Sequence, residues 1–113
     1  MIKKSKYSNR KTILDGITFD SAKEARRYAE LKLVLLAGKI KELELQPAFT
    51  LQEGYVKDGH KIRPIVYIAD FKYFDLEKMQ YIIEDAKGMK TDVYKIKKKI
   101  FEFKYPEFTI IEI

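Results

Sequence analysis

The chain has 113 residues, a formal net charge of +6 at pH 7 and 46% hydrophobic residues, with no cysteine and one histidine, His60. A chain of this length has room for one domain with one core, so we expect a single domain over residues 1–113. The lack of cysteine excludes disulfides and thiolate metal sites, and a single histidine argues against a zinc site. No apolar run approaches the roughly 18 residues of a membrane span. We therefore expect any metal ion to have oxygen ligands, and we expect no membrane partner.

Residues 1–11 are predicted to form a basic amino-terminal arm, because its cations precede any acid in the chain. They are Lys3, Lys4, Lys6, Arg10 and Lys11. Such a cluster is typical of segments that contact polyanions, although basic arms are often only solubilising surface. The arm lacks the apolar stretch of a secretory signal, so we expect a cytoplasmic location, in the host cell if the protein is phage-encoded.

A short hairpin and a helix are predicted next. Residues 12–19 alternate apolar and polar side chains around a turn sequence. Ser21 and Glu24 then have the spacing of a capping box, and helix-forming residues continue to 37, where Gly38 supplies the stop. The spacing predicts a helix over residues 22–37.

Three strand-like runs follow this helix. Residues 40–51 alternate in polarity, which predicts a half-buried strand. Turn residues then predict a hairpin into residues 62–74, which are apolar on both faces, as in a central strand. A turn at 75–78 leads to the third strand, which begins at residue 80 and enters a turn at Gly88.

A second helix and a last strand complete the chain. Thr91 can cap a helix that runs to about Phe103, and residues 108–113 read as a short strand. The order is helix, three strands, helix, strand. This order predicts an α/β fold with a mixed central sheet.

The second helix carries a crowd of lysines: Lys95, Lys97, Lys98 and Lys99. They make nucleic acid a plausible partner, with a solvated helix face as the plain alternative. The direction of Lys97 falls inside a broad apolar arc, which is formed by Val93, Ile96, Ile100, Phe101 and Phe103. Snorkelling to solvent would also explain Lys97.

Two aspartates on neighbouring strands are the candidates for a metal site. Alternation places Asp85 and Lys87 on one face of the third strand and Glu84 on the other. Asp70 interrupts an apolar strand, which is unfavourable unless it is paired or bound to a metal. Counting from the turn puts Asp70 roughly level with Asp85, and two such acids without histidine suit Mg²⁺. The alternative is an ordinary salt bridge from Asp70 to Lys87 or Lys72.

Glu24 is a third candidate acid, on the first helix. At about 100° per residue its direction agrees with Tyr28, Leu31 and Leu35, so we expect it to face the sheet. It could instead serve only as the third residue of the capping box, and both roles can hold together.

This arrangement resembles the PD-(D/E)xK nuclease superfamily, whose restriction-endonuclease-like core has the same order of elements. Its members carry an acid on the first helix, an aspartate on the second core strand and an acid-x-lysine on the third, which fall on Glu24, Asp70 and Asp85-Ala86-Lys87. No proline precedes Asp70, where the name-giving motif has one, and Glu84 fits neither the spacing nor the face. The run 83–88, followed by Thr91 and Tyr94, is also similar to a small family of uncharacterised phage and prophage proteins, and in size the chain is closest to Holliday-junction resolvases.

The resemblance implies a Mg²⁺-dependent DNA endonuclease, with Mn²⁺ as a substitute, that hydrolyses phosphodiester bonds. Asp70, Asp85, the carbonyl of Ala86 and Glu24 would hold the ion, and Lys87 would orient the attacking water or stabilise charge on the phosphate. Phosphate contacts that read no sequence would come from the lysine-rich segments, namely Lys3, Lys4, Lys6, Arg10, Lys95, Lys97 and Lys98.

The kind of DNA that such an enzyme cuts stays open. A structure-specific enzyme for branched DNA in phage recombination or replication is one reading, and its resolvase version implies a homodimer. The alternative class is a non-catalytic nucleic-acid-binding or phage assembly protein on a nuclease fold. A basic protein-interaction module is a third reading.

Overall fold

The computed structural model describes residues 11–86 and 89–113, so residues 1–10, Lys87 and Gly88 lie outside the description. Over the described residues the protein is mixed α/β and mostly β, with two helices and several small sheets. The chain divides into two compact units, Met1–Gly38 and Lys39–Ile113. The expectation of a single domain over 1–113 stays a prediction. No helix in the described ranges is both long and apolar enough to cross a membrane.

The first unit contains a hairpin followed by a helix, as the sequence predicted. Strands β1 (Thr12–Leu14) and β2 (Ile17–Phe19) pair antiparallel. Helix α1 (Ala22–Leu36) begins after Ser21, whose hydroxyl oxygen accepts a hydrogen bond from the Glu24 main-chain N–H at 3.1 Å. This cap satisfies one of the free N–H groups at the helix start.

Aromatic packing and one ion pair stabilise the first unit. The rings of Phe19 and Tyr28, both buried, have centroids 5.1 Å apart. Lys32 Nζ lies 2.9 Å from Asp15 Oδ2, which joins the hairpin turn to the middle of α1. The hairpin and the helix therefore stabilise each other.

The second unit contains eight strands and one helix among its described residues. In chain order they are β3 (Ile40–Leu45), β4 (Ala48–Gln52), β5 (Tyr55–Lys57), β6 (His60–Ile62), β7 (Ile65–Ile68), β8 (Phe71–Asp75), β9 (Gln80–Asp85), α2 (Asp92–Lys104) and β10 (Thr109–Glu112).

The largest sheet has four strands in the order β10-β9-β8-β3. Strand β10 runs parallel to β9, and the other neighbours are antiparallel, so the sheet is mixed. The turn between β8 and β9 lies where the sequence predicted it. There the Asp75 carboxylate accepts the main-chain N–H groups of Glu77 and Lys78, at 2.9 and 3.0 Å.

Two strands that the sequence predicted as continuous are broken. Residues 40–51 divide into β3 and β4 at Gln46 and Pro47, because Gln46 has φ +49° and Pro47 has no N–H for a ladder. Residues 62–74 include the end of β6, then β7 and β8, with a break at Ala69 and Asp70.

Two hydrogen bonds join the broken strands across this interruption. Gln46 N–H donates to the Asp70 carbonyl at 2.8 Å, and Ala69 N–H donates to the Pro47 carbonyl at 3.1 Å. The pair β3–β8 therefore continues into the pair β4–β7 through a bend. Asp70 lies at this bend and is half-buried, whereas the sequence placed it within a straight strand.

Helix α2 packs on β4 and β7 over a core that is rich in aromatic rings. Thr91 caps the helix as predicted, since its hydroxyl oxygen accepts the Tyr94 N–H at 3.1 Å. The buried cluster consists of Leu51, Tyr67, Ala69, Ile83, Tyr94 and Phe101. The Phe101 ring lies 5.2 Å from that of Tyr67 and 4.8 Å from that of Phe49.

The predicted apolar arc of α2 is partly wrong. Val93, Ile96 and Phe103 are exposed, and Phe103 keeps 88% of its surface in contact with solvent. The buried face is set by Tyr94 and Phe101, which are seven residues apart and so lie on one stripe of the helix. One stripe of the helix is buried because α2 packs mainly on β4 and β7.

Candidate metal and nucleic-acid site

Asp70 and Asp85 lie at the end of the β8–β9 pair. The last pair of the antiparallel register is Phe71 opposite Glu84, so Asp70 directly precedes this pair on one strand and Asp85 directly follows it on the other. The Asp70 N–H donates to the Glu84 carbonyl at 3.0 Å. The observed register agrees with the count from the predicted turn.

The side chain of Asp70 also holds the end of β9. Its Oδ2 accepts a hydrogen bond from the Ala86 N–H at 2.6 Å. The carboxylate thus takes the place that a main-chain carbonyl would have in a continued ladder, and a charge-assisted bond of this kind is stronger than a neutral one. The hydrogen bond fixes Asp70 next to the first residue after Asp85.

Two neighbouring acids of β9 are buried, each with a tyrosine as a partner. Glu84 and Asp85 are both 1% exposed. The Tyr67 hydroxyl donates to Asp85 Oδ2 at 2.6 Å, and the Tyr73 hydroxyl donates to the Glu84 carboxylate. Because the two acids are consecutive in a strand, they lie on opposite faces, and each tyrosine offsets part of the unfavourable burial on its own face.

The tyrosine hydroxyls of the Asp85 face are held in their protonated form. Burial raises the pKa of Tyr67, as do the hydrogen bond to Asp85 and the charges of Asp85 and Asp70. Burial and a hydrogen bond to Glu112 likewise raise the pKa of Tyr94. Both phenols are therefore neutral hydrogen-bond donors across the physiological pH range.

Glu112 is a further carboxylate beside Asp85, since the two residues are partners in the parallel pairing of β9 and β10. Its Oε2 accepts from the Tyr94 hydroxyl at 2.7 Å, and its Oε1 lies 3.2 Å from Lys90 Nζ and 3.6 Å from Lys98 Nζ. The hydrogen bond from Tyr94 lowers the pKa of Glu112, and the two lysines add to this effect. Glu112 is thus an ionised acid with compensating cations.

The partners of these acids were not predicted from the sequence. The pair Tyr73 and Glu84 could have been found, because Tyr73 is opposite Ile82 and Glu84 is its diagonal neighbour two residues on. A tyrosine at a buried strand position next to a buried acid would have predicted this hydrogen bond. Tyr67 and Glu112 carry no such local signal, because their approach to Asp85 depends on the bend and on the parallel strand.

The other predicted site residues fall into three groups. Glu24 is buried in the first unit and its main chain takes part in the predicted cap; that its side chain faces the sheet stays a prediction. Lys87 lies outside the described residues. So do the cations of the amino-terminal arm, namely Lys3, Lys4, Lys6 and Arg10.

The lysines of α2 surround one surface cavity of about 340 Å³. Lys95 is exposed and Lys98 is half-buried at this cavity, while Lys97 is half-buried beside a separate cavity of about 270 Å³ that Tyr67 and Tyr94 also line. The first cavity is lined by Lys90, Tyr94, Lys95, Lys98, Lys99, Glu102 and Glu112. Because four lysines and two glutamates line this cavity, its net charge is positive, which suits an anionic ligand.

Lys72, which the sequence offered as a salt-bridge partner of Asp70, has other neighbours. Its Nζ lies 3.9 Å from Glu44 Oε2 and 4.9 Å from the centre of the Tyr81 ring. Lys87, the second such partner, is one of the residues without a description.

The donor chemistry of the second unit fits a hard cation. Across residues 11–86 and 89–113, no group of three or more acidic, histidine or cysteine side chains is arranged to hold a metal ion. Asp70, Asp85 and the Ala86 carbonyl would instead supply two carboxylates and one main-chain oxygen. Mg²⁺ usually takes only one or two carboxylates and keeps several waters, so this small oxygen set fits it.

Fold and site together define a small mixed α/β protein with two adjacent aspartates at the end of a central strand pair. The chain belongs to a family described as proteins of unknown function (DUF1064), whose model matches residues 4–113. Searches of curated proteins and of solved structures return no match.

Proposed function

We propose that the protein is a Mg²⁺-dependent endonuclease that hydrolyses phosphodiester bonds in DNA. The observation that carries this proposal is the pair of acids at the end of β9: Asp85 is buried there, and Asp70 accepts a hydrogen bond from the N–H of Ala86, the residue after Asp85. Two carboxylates close together repel each other unless a cation or hydrogen bonds compensate the charge. A divalent cation between them would add to the compensation that their hydrogen bonds give.

A restriction-endonuclease-like core, as in the PD-(D/E)xK nucleases, is part of this proposal. Support comes from the order of elements along the chain: helix α1, strands β3, β8 and β9, helix α2 and strand β10. The hairpin β5–β6 and the pair β4–β7 are then additions between the first and second core strands.

The chain's own residues have separate tasks in the proposed reaction. Asp70 and Asp85, with the Ala86 carbonyl, would hold Mg²⁺, which when bound polarises the scissile phosphate and activates a water. Tyr67 orients Asp85 through its 2.6 Å hydrogen bond, and a carboxylate can accept several further ligands beyond one such bond.

Cations of the chain would act on the phosphates. The ammonium of Lys87, two residues after Asp85, would orient the attacking water or stabilise charge on the phosphate. Lys95 and Lys98 at their common cavity, with Lys97 nearby, would bind the DNA backbone without reading base sequence. Binding is therefore expected to weaken strongly with salt.

Cleavage assays with matched variants test the proposal. Purified protein with Mg²⁺ or Mn²⁺ should cut at least one of linear, single-stranded and four-way-junction DNA, and chelation should stop it. Asp85→Asn and Lys87→Ala should abolish cleavage while DNA binding survives, whereas the exposed controls Asp92→Asn and Lys78→Ala should cut normally. Cleavage that is unaffected by both site variants would refute the assignment of the site.

One observation favours a second candidate, a non-catalytic nucleic-acid-binding or phage assembly protein. The described residues contain no cluster of three metal-binding side chains, and two carboxylates alone bind a divalent ion weakly. Calorimetry with Mn²⁺ separates the two candidates, because no Mn²⁺ binding with DNA binding preserved supports the non-catalytic protein. The resolvase version of the enzyme also predicts a homodimer, which sedimentation would detect.

A further inference from the structure

Strands β5 and β6 form a hairpin that pairs with no other strand in the described part of the chain. Tyr55 is opposite Ile62, and Lys57 is opposite His60. The turn residues Asp58 and Gly59 have φ values of +50° and +78°, as a two-residue turn with both central residues left-handed requires. We call residues 53–64 the β5–β6 arm.

The two chain segments at the base of this arm approach each other closely. A Cβ on Gly54 would lie 2.9 Å from the Ile62 carbonyl oxygen and 3.2 Å from Pro64 Cδ. Glycine is therefore required for this close approach of the two chain segments, and Pro64 restricts the returning chain. The arm is a defined projection rather than an irregular loop.

All residues from 52 to 65 are exposed. Two-stranded hairpins that pack on nothing are at best marginally stable, yet this arm has a well-formed turn and a close base. Tyr55 is 48% and Val56 66% exposed, and they line a concavity of about 350 Å³ with Ile62 and Pro64. An ordered projection with exposed apolar side chains is typical of a surface that contacts a partner.

The charges of the arm indicate what that partner is. Lys57, Lys61 and Arg63 are exposed, and none of them forms an ion pair with a described residue. The arm also has two acids, Glu53 at its base and Asp58 in its turn, whereas Lys57 and Lys61 are in the strands and Arg63 directly follows β6. Cores of protein interfaces are depleted in lysine, whereas a two-stranded ribbon with basic side chains fits the major groove of DNA.

We propose that the β5–β6 arm binds duplex DNA, with Lys57, Lys61 and Arg63 on phosphates and Tyr55 against the groove wall. This proposal rests on the proposed function, because it assigns the arm to the same DNA that the Asp70–Asp85 site would cut. Strand β7 leads from the arm to that site, and the six residue-to-residue steps from Pro64 to Asp70 span at most roughly 20 Å. That distance corresponds to about six phosphates along one strand.

The test compares two triple variants that lose the same charge. The arm variant is Lys57→Ala with Lys61→Ala and Arg63→Ala. The control variant is Lys23→Ala with Lys39→Ala and Lys78→Ala, all exposed positions outside residues 53–64. Binding to a duplex of about three helical turns is measured by fluorescence anisotropy in EDTA at several salt concentrations, and circular dichroism verifies that both variants fold.

For three lost phosphate contacts, the slope of log K against log salt should become shallower by about 3, and the Kd near physiological salt should rise on the order of 100-fold. The control should change this slope by less than about 1. An arm variant that binds like the control overturns the proposal, and it then favours a protein partner for the arm.

Cleavage by the wild-type protein with Mg²⁺, measured in parallel, separates this proposal from the proposed function. If the wild type cuts DNA and the arm variant binds like the control, only the arm proposal fails. If the wild type never cuts but the arm variant loses binding, only the nuclease proposal fails. A wild type that does not bind duplex DNA at low salt overturns both.

Discussion

Replacing Tyr67 by phenylalanine removes one hydroxyl from the core and leaves the ring in place. That hydroxyl donates to Asp85 Oδ2 at 2.6 Å, and Asp85 is 1% exposed. Hydrogen bonds to charged groups contribute about 1.5–3 kcal/mol, so we expect Tyr67→Phe to lower the free energy of unfolding by about 2 kcal/mol. For a chain of this size the melting temperature should fall by roughly 8 °C.

Urea unfolding at pH 7 measures this change, and Tyr94→Phe is the matched control. Tyr94→Phe also removes a hydroxyl from this core. Its acceptor Glu112, however, has a side chain that is 24% exposed and that also forms ion pairs with Lys90 and Lys98. We therefore expect a loss below about 1 kcal/mol for the control. A Tyr67→Phe protein as stable as the wild type would refute the reasoning that this bond offsets the burial of Asp85.

Other parts of the second unit give predictions of their own. Because the pKa of Glu112 is lowered in the folded protein, its contribution to stability is present above its usual pKa of 4.5 and is lost as the pH falls through the lower folded pKa. Glu112→Gln should therefore reduce the loss of unfolding free energy in acid. The same decrease of unfolding free energy with pH in urea titrations of the variant would contradict this. Gly54→Ala places a Cβ 2.9 Å from the main-chain oxygen of Ile62, so the amides of the β5–β6 arm should exchange with solvent faster in hydrogen-exchange measurements. Unchanged protection of these amides would argue against the close approach at the base of the arm. Phe101→Ala removes a ring with 0% exposure and should lower the free energy of unfolding by about 3–5 kcal/mol. Phe103→Ala on the same helix should change it by less than about 0.5 kcal/mol. Equal losses in chemical denaturation would mean that the buried face of α2 is misassigned.

Local patterns predicted much of the candidate site. The turn before β9 sets the register of an antiparallel hairpin, so counting residues from it was enough to predict that Asp70 and Asp85 come at the same end of this strand pair. The caps at Ser21 and Thr91 are likewise read from hydroxyls three residues before an N–H that needs an acceptor. In both cases the interacting groups are close in sequence or joined by a short turn.

The sequence by itself predicted both helices with their caps, the turn before β9 and the pairing of β8 with β9. Only the tertiary structure decided the bend at Asp70, the narrow buried face of α2 and the neighbours of Asp85, which are Tyr67 and Glu112. The physical reason is that a bend arises from two strand pairs acting together, and a parallel strand reached through a helix has no turn to set its register. Such contacts are decided by packing of the whole unit, and no short stretch of sequence encodes them.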